Sequence, residues 1–561
     1  MSDQAHALSR RLFLSGGLSG AAAVTFAAMW GRSATGATFA APFSPASERL
    51  RPRSNLLTLA NRLTFGFHEA ELPPGTTYTG YLAARTAPPV PDVPSLLALI
   101  DGLDLLDLLT VPPSQFRPTT VVVNGQTVTL STEQVQRLGA RALAHQILYY
   151  SVLSTNQFRE RLLEFWRDHF NVYADKSLVG SYLPLYDRST LRPNAVGPFP
   201  TLLESVAKSA AMSLYLDNWL NRAPQPAQEN YARELLELHT MGPQPKLASS
   251  GNQPNYSEND VRELAKILSG WGGVVGTGQF RFIPQYHHGG DKILLGLTAP
   301  FDGNTASEGE TVLRELSRTM QSNPALVDKT AELLAWKLTR WFLADSPPDA
   351  VVIAAKNVYL ATDGDVVGMV RSILDENNVA ALTAGSGGPE YKFRRPSQWL
   401  AALLRALQLD TTHFTPTQLP GGLSGELIGD LYSQGNLPYA WPAPDGYPDG
   451  DQAWASAIFG RWALAQRVFS EQPQLVDLHL ADGDIDRAYG PNATTDDELV
   501  ARVDQVLTGG VMTDFERAAL KVYAQFVRGY TGTNPPYTVT VTRLKRELLM
   551  LGSLTPTFQH Y

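Results

Sequence analysis

Between residues 132 and 219, apolar side chains recur every three to four positions with almost no interruption, in runs at 132–154, 156–173 and 203–220. That spacing fits the 3.6-residue turn of an α-helix and conflicts with the strict alternation of a half-buried strand. A chain patterned this way buries its apolar stripes by helix-on-helix packing. Similar runs lie at 55–65 and 96–109, and again at 257–271, 310–320, 325–344, 350–362, 366–374, 397–407, 453–469, 496–507, 514–528 and 541–551. The exceptions are small. Two β-rich runs at 119–123 and 126–130 flank Asn124-Gly125, a pair that suits the positive φ of a tight hairpin turn. Residues 279–283 and 292–295 read as two further short strands. The expected fold is all-α, a large multi-helix bundle with small β-hairpin insertions, forming a single large domain over 42–561.

Charged residues make up 18% of the 561, below the usual quarter, so many helices must be covered on several sides. The formal net charge is −8 with no long basic run, which argues against a nucleic-acid partner and against attraction of the folded body to anionic membranes. There is no cysteine. Disulfides, thiolate nucleophiles and thiolate-held metal centres are therefore excluded. Ser9-Arg10-Arg11-Leu12-Phe13-Leu14 is a twin-arginine signature, followed by an apolar stretch over 12–30 and a small-residue cleavage context at Thr38-Phe39-Ala40. Residues 1–41 are read as a twin-arginine signal peptide, and the protein as periplasmic or secreted. If uncleaved, that segment is the one membrane contact expected.

The densest polar segment is Glu229-Asn230-Tyr231-Ala232-Arg233-Glu234-Leu235-Leu236-Glu237-Leu238-His239-Thr240-Met241-Gly242. Wound as a helix stopped by a glycine C-cap, it places Asn230, Glu234 and Glu237 on one face and His239 on the other. Glu229, Arg233 and Glu237 stand four apart, so Arg233 can bridge both carboxylates. Arg62, Arg167 and Arg262 lie on neighbouring helical runs and could converge on this face. A sheltered Glu beside Asn230 suits acid–base work, whereas the same charges in solvent form an ordinary surface ion network. Asp217-Asn218 follows a helical run and either positions a ligand or caps the helix. Asp260, three residues after Ser257, is expected to complete a capping box.

His169 and His239 each fall on the apolar face of their helices, as core histidines commonly do. Together with His287 or His288 from a Gly-rich turn they are also candidate ligands of a triple-imidazole site for iron, copper or zinc, with Asp291 or Asp217 as an added carboxylate. Residues 435–450 form a long loop rich in Pro and aromatics, with Tyr439, Trp441 and Tyr447 suited to stacking on sugar rings or to packing on the helices. No nucleophile elbow, Walker loop, His-Glu-x-x-His or dinucleotide fingerprint occurs.

Six blocks carry a resemblance: Asn61-Arg62-Leu63-Thr64-Phe65-Gly66, Phe165-Trp166-Arg167-Asp168-His169-Phe170, Tyr215-Leu216-Asp217-Asn218, Glu229-Asn230-Tyr231-Ala232-Arg233-Glu234, Tyr256-Ser257-Glu258-Asn259-Asp260-Val261, and His288 with Lys292, Leu295 and Gly296. In this order they resemble the bacterial domain-of-unknown-function 1800 family over roughly residues 55–552. The resemblance implies a mainly helical, exported protein. It also implies a partner or shared pathway with a sulfatase-like exported protein encoded nearby. Gln228 stands where the family often has Asn. His287-His288-Gly289-Gly290-Asp291 replaces a usual His-Asp, which leaves open which histidine holds the family position.

These readings lead to an expected enzyme acting on an envelope or extracellular polymer by metal-assisted or acid–base chemistry. Glu234 or Glu237 would be the base, Arg233 the orienting charge, Asn230 and Asp217 polar stabilisers, and His169, His239 and His288 the metal ligands. The rival is a non-catalytic helical binding or assembly protein acting with the sulfatase-like partner.

Overall fold

The structure, a computed structural model, describes residues 50–561 except 104–106, 124–125, 274–276, 298–304, 320–322, 385–390, 417–424, 472–473 and 530–539. The twin-arginine segment and the Asn124-Gly125 turn lie outside the described residues. The fold is nearly all-α, as the apolar periodicity requires, with two small antiparallel sheets.

Local signals set most helix starts. Ser54 caps the Asn55–Leu63 helix by accepting from Leu57 N–H at 3.1 Å, and Ser131 with Gln134 forms a capping box on the Thr132–Leu153 helix. Asn323 caps the Pro324–Phe342 helix, whose first residue is a proline that loses no hydrogen bond there. Ser257 and Asp260 form the expected box on the Glu258–Ile267 helix. The Gln157–His169 helix is buried almost all round, so its charges must be paired. Glu160 takes Arg192 at 2.8 Å, and Arg167 takes Asp187 at 2.6 Å. The largest core runs from Leu57 to Phe558 and centres on Trp166, Phe170 and Phe199, while a small satellite of Leu108, Phe116, Val121, Leu130 and Val135 lies under the first hairpin.

Three expectations change. The run at 203–220 is broken into Phe199–Ala207, Ala210–Tyr215 and a short turn at Asn218–Leu220, because Ser209 ends one helix and caps the next. The helix expected over 96–109 is the shorter Pro94–Asp101. The strand expected at 279–283 is Phe280–Phe282, paired with Trp271–Gly273, where the Trp271 indole packs on the Phe280 ring at 5.0 Å, whereas 292–295 holds only an isolated bridge from Leu294 to Leu297. The first hairpin, Thr119–Val123 with Gln126–Leu130, has the expected register, Val123 opposite Gln126. Among the described residues no helix is long and apolar enough to cross a membrane.

Candidate functional site

The polar segment is not one regular helix. Asn230–Glu234 is α-helical, and Leu235–His239 widens into a π-turn before Gly242 closes it at φ +74°, its N–H donating to Leu236 O at 2.9 Å. Glycine is needed there because other residues pay for positive φ. A π-turn carries an extra residue, so Glu237 no longer stands one turn beyond Arg233. The expected double bridge fails accordingly. Arg233 clasps Glu258 at 2.7 and 2.8 Å and Glu229 at 3.2 Å, whereas Glu237 accepts from Tyr256 Oη at 3.3 Å. Arg62 and Arg167 do not join this face. Arg167 is spent on Asp187, and Arg62 stacks over the Tyr561 ring at 4.7 Å.

Asp217 adopts the left-handed conformation, φ +61°, and makes no side-chain cap. Its carboxylate instead accepts from Lys176 Nζ at 2.9 Å and Asn230 Nδ2 at 3.3 Å, bringing two of the predicted residues together. The Pro/aromatic loop folds onto the same region. Asn171 Nδ2 donates to Trp441 O at 2.9 Å and Ala443 O at 2.7 Å, and Tyr215 Oη donates to Pro442 O at 2.6 Å. Gly446, at φ +77°, lies so close to the Asp168 backbone that a Cβ would sit 2.5 Å from Asp168 O. Asp445, which accepts from Trp441 Nε1 at 3.2 Å, is thereby brought near the helix. Partial burial, then the Glu237 charge, push the Glu234 carboxyl up to about 7, with Asp445 adding and Arg233 opposing. Glu234 and Glu237 remain half-buried and Asp445 is exposed, so the cluster opens to solvent rather than into a closed chamber.

The histidines correct the metal expectation. His169 and His239 do meet, ring centroids 6.1 Å apart, inside an aromatic shell that includes Phe170 and Tyr231. The His169 Nε2 faces His239 O at 3.3 Å, and its Nδ1 faces Lys337 Nζ at 3.3 Å. A lone pair already turned to an ammonium group is a poor metal ligand, because the two cations repel. Both His239 ring nitrogens are buried without a hydrogen-bond partner, and burial pushes its imidazole down to about 3. His288 keeps to a loop, where its backbone N–H donates to Ser269 Oγ at 2.8 Å. Among the described residues no group of three or more His, Asp or Glu side chains is arranged to hold a metal ion. The set His169, His239 and His288 is not assembled.

Two networks escaped the sequence reading. Lys292 Nζ, Glu308 and His287 form a fully buried triangle of 2.8, 3.2 and 3.3 Å, with Ser269 beside the imidazole. So the histidine that joins Lys292 is His287. The group resembles a nucleophilic triad only in composition. Nδ1 lies 2.8 Å from Ser269 O, which requires a proton on that nitrogen, and Ser269 Oγ donates to Lys266 O at 2.6 Å. The imidazole therefore cannot take the serine proton. Arg141, His145, Glu426 and Asp477 form a second buried cluster, where burial pushes the Asp477 carboxyl up to about 7. Ser269 and Glu308 stand 18 and 21 positions from His287, and Glu426 stands 281 from His145, separations at which spacing dictates no contact. Above the second lies a cleft of about 850 Å³ lined by Arg137, Arg141, Asp175, Tyr432 and Tyr439.

No curated protein and no solved structure matches the chain. A family model described as a protein of unknown function matches residues 58–559, a span that holds every element of the site just described, and the chain belongs to this DUF1800 family.

Proposed function

We propose that the protein is an exported enzyme that performs carboxylate acid–base chemistry on an envelope or extracellular polymer, with Glu234 as the proton-transferring group. The observation that carries this reading is the fastening of the 435–450 loop to Asn171 and Tyr215, which brings the Asp445 charge within reach of Glu234, itself half-buried beside the Glu237 charge. A carboxyl that gives up its proton near neutral pH serves as acid in one step and base in the next. Glu237 and Asp445 keep that proton on, Asn230 with Asp217 and Lys176 forms the polar rim, and Arg233 ties the helix to Glu258. Export rests on the twin-arginine segment, and the sulfatase-like protein remains the partner this reading supplies. A metal has no part in it.

The test uses purified protein with a panel of bacterial envelope polysaccharides, scored by newly released chain ends. Glu234→Gln is expected to lower turnover about 100-fold, the size of an acid–base contribution, with a melting temperature no lower than that of the wild type. Unchanged turnover would sink the proposal. A second reading, a non-catalytic assembly protein, is favoured by the exposed Arg233–Glu229–Glu258 network, which is already self-satisfied. On that reading no polymer is cleaved, and the protein co-purifies with the sulfatase-like partner in a manner abolished by Arg233→Glu.

A further inference from the structure

Beside the carboxylates runs a strip of positive charge that the acid–base reading leaves unused. Trp336, Lys337 and Arg340 come from the Pro324–Phe342 helix, and Lys246 comes from the segment after the π-turn. Lys246 Nζ lies 5.0 Å and the Arg340 guanidinium 5.4 Å from the centre of the Trp336 ring. The indole thus holds two long cationic side chains in place, which removes part of the entropy they would lose on binding an anion. Among the described residues Lys246 pairs with no carboxylate, and Arg340 has only a long pairing, at 3.9 Å, with an Asp449 already held by Arg395 at 2.8 Å. Arg340 Nε has no hydrogen-bond partner.

Lys337 links this strip to the carboxylates. Two of its three N–H groups are accounted for, by Leu238 O at 2.9 Å and His169 Nδ1 at 3.3 Å, and none is given to a carboxylate. Burial, then the neighbouring Lys246 charge, push its ammonium down to about 8, against the pull of Asp445 and Asp168. Asp445 therefore acts on Lys337 on one side and on Glu234 on the other. The strip meets the π-turn that carries Glu237 through the Lys337–Leu238 bond.

We infer that the polymer is an acidic polysaccharide, whose carboxylate or sulfate groups are received by Lys246, Lys337 and Arg340 around Trp336. This rests on the acid–base reading of Glu234 and names its substrate class. In a chain of net charge −8, a polyanion is repelled elsewhere, so a local cationic strip selects where it lands. A lipid surface fits less well, because none of the exposed large apolar side chains among the described residues belongs to these segments.

The experiment is native affinity electrophoresis of the full chain in gels containing polygalacturonate, dextran sulfate or neutral dextran, with sedimentation on anionic phospholipid vesicles in parallel. Retardation is expected by both acidic polymers and not by dextran, falling with added salt. The Lys246→Ala/Arg340→Ala double variant is expected to weaken it about tenfold, and the exposed single change Lys246→Glu to weaken it with an unaltered melting temperature. Glu234→Gln should still be retarded, so binding reports on the strip and turnover on the carboxyl. Equal retardation by dextran, no retardation by either acidic polymer, indifference to Lys246→Glu, or preferential sedimentation with vesicles would each overturn the inference.

Discussion

Glu234 draws its proton affinity from partial burial and from charges that arrive from two parts of the chain, Glu237 in the π-turn and Asp445 in the Pro/aromatic loop, against the pull of Arg233 on its own helix. Because the folded state holds a proton that the unfolded chain releases, the stabilisation is complete below about 4.5 and is lost as pH rises through about 7. Glu234→Gln should therefore stabilise the protein at pH 8 relative to pH 5. The size is about 1 kcal/mol once solvent screening of a half-exposed carboxyl is allowed for, measured as the difference in urea denaturation between the two values. His239 has the opposite sign. Burial keeps its imidazole neutral down to about 3, so its contribution is present above the ordinary histidine range and is lost as pH falls. Wild type should lose about 1 kcal/mol more per pH unit than His239→Leu between pH 6 and 4, in the same assay. Equal slopes would show that His239 takes up its proton in the folded state.

At the scale of elements, the site depends on how the Pro/aromatic loop is fastened. Asn171 is the main fastener, since one side-chain amide serves both Trp441 O and Ala443 O. Asn171→Ala should cost about 2 kcal/mol by stranding those carbonyls, raise amide exchange across 435–450, and let the Glu234 carboxyl fall toward its usual range as Asp445 moves off. A Glu234 titration unchanged by this substitution would separate the loop from the site. Gly446→Ala should act the same way, through the clash with the Asp168 backbone and the strain of positive φ. Proline density marked this loop in the sequence, because structureless stretches of that length are uncommon in compact folds. Its docking partner was not marked, since the amide that holds it belongs to Asn171, more than 260 residues away. The π-turn was equally silent. Helical periodicity over five residues cannot distinguish α from π winding, so the expected Arg233–Glu237 bridge was drawn on the wrong cylinder.

Across the whole molecule, buried cations draw distant segments together, some through carboxylates, as Arg141 does with Glu426, and some through an aromatic ring. Arg62, Arg161 and Arg394 surround Tyr561, with Arg161 Nη2 donating to its hydroxyl at 3.1 Å, and against burial the charges of Arg161, then Lys392 and Arg62, hold the phenol below its usual range. No nitrogen of Arg62 has a hydrogen-bond partner, so the phenol ring and hydroxyl are its main compensation. Tyr561→Phe should cost about 2 kcal/mol, as losing a buried hydrogen bond from a charged group does, read from the urea midpoint; a loss below about 0.5 kcal/mol would assign the compensation elsewhere. Arg62 was expected beside Glu234. Its position on an apolar helical face was legible, but which neighbour that face would meet was not.

The order of the residues was enough to establish helices, their caps, the first hairpin, the absence of thiol chemistry and the candidate polar segment. Each of these follows from interactions within a few positions, where spacing alone dictates geometry. Three-dimensional packing settled the rest: that Asp445 adds its charge to that of Glu237 at Glu234, that Lys337 occupies the lone pair a metal would need, and that His287 belongs to Lys292. Electrostatic energies depend on separation through space and on the dielectric between charges, and neither quantity is written in a linear order of side chains.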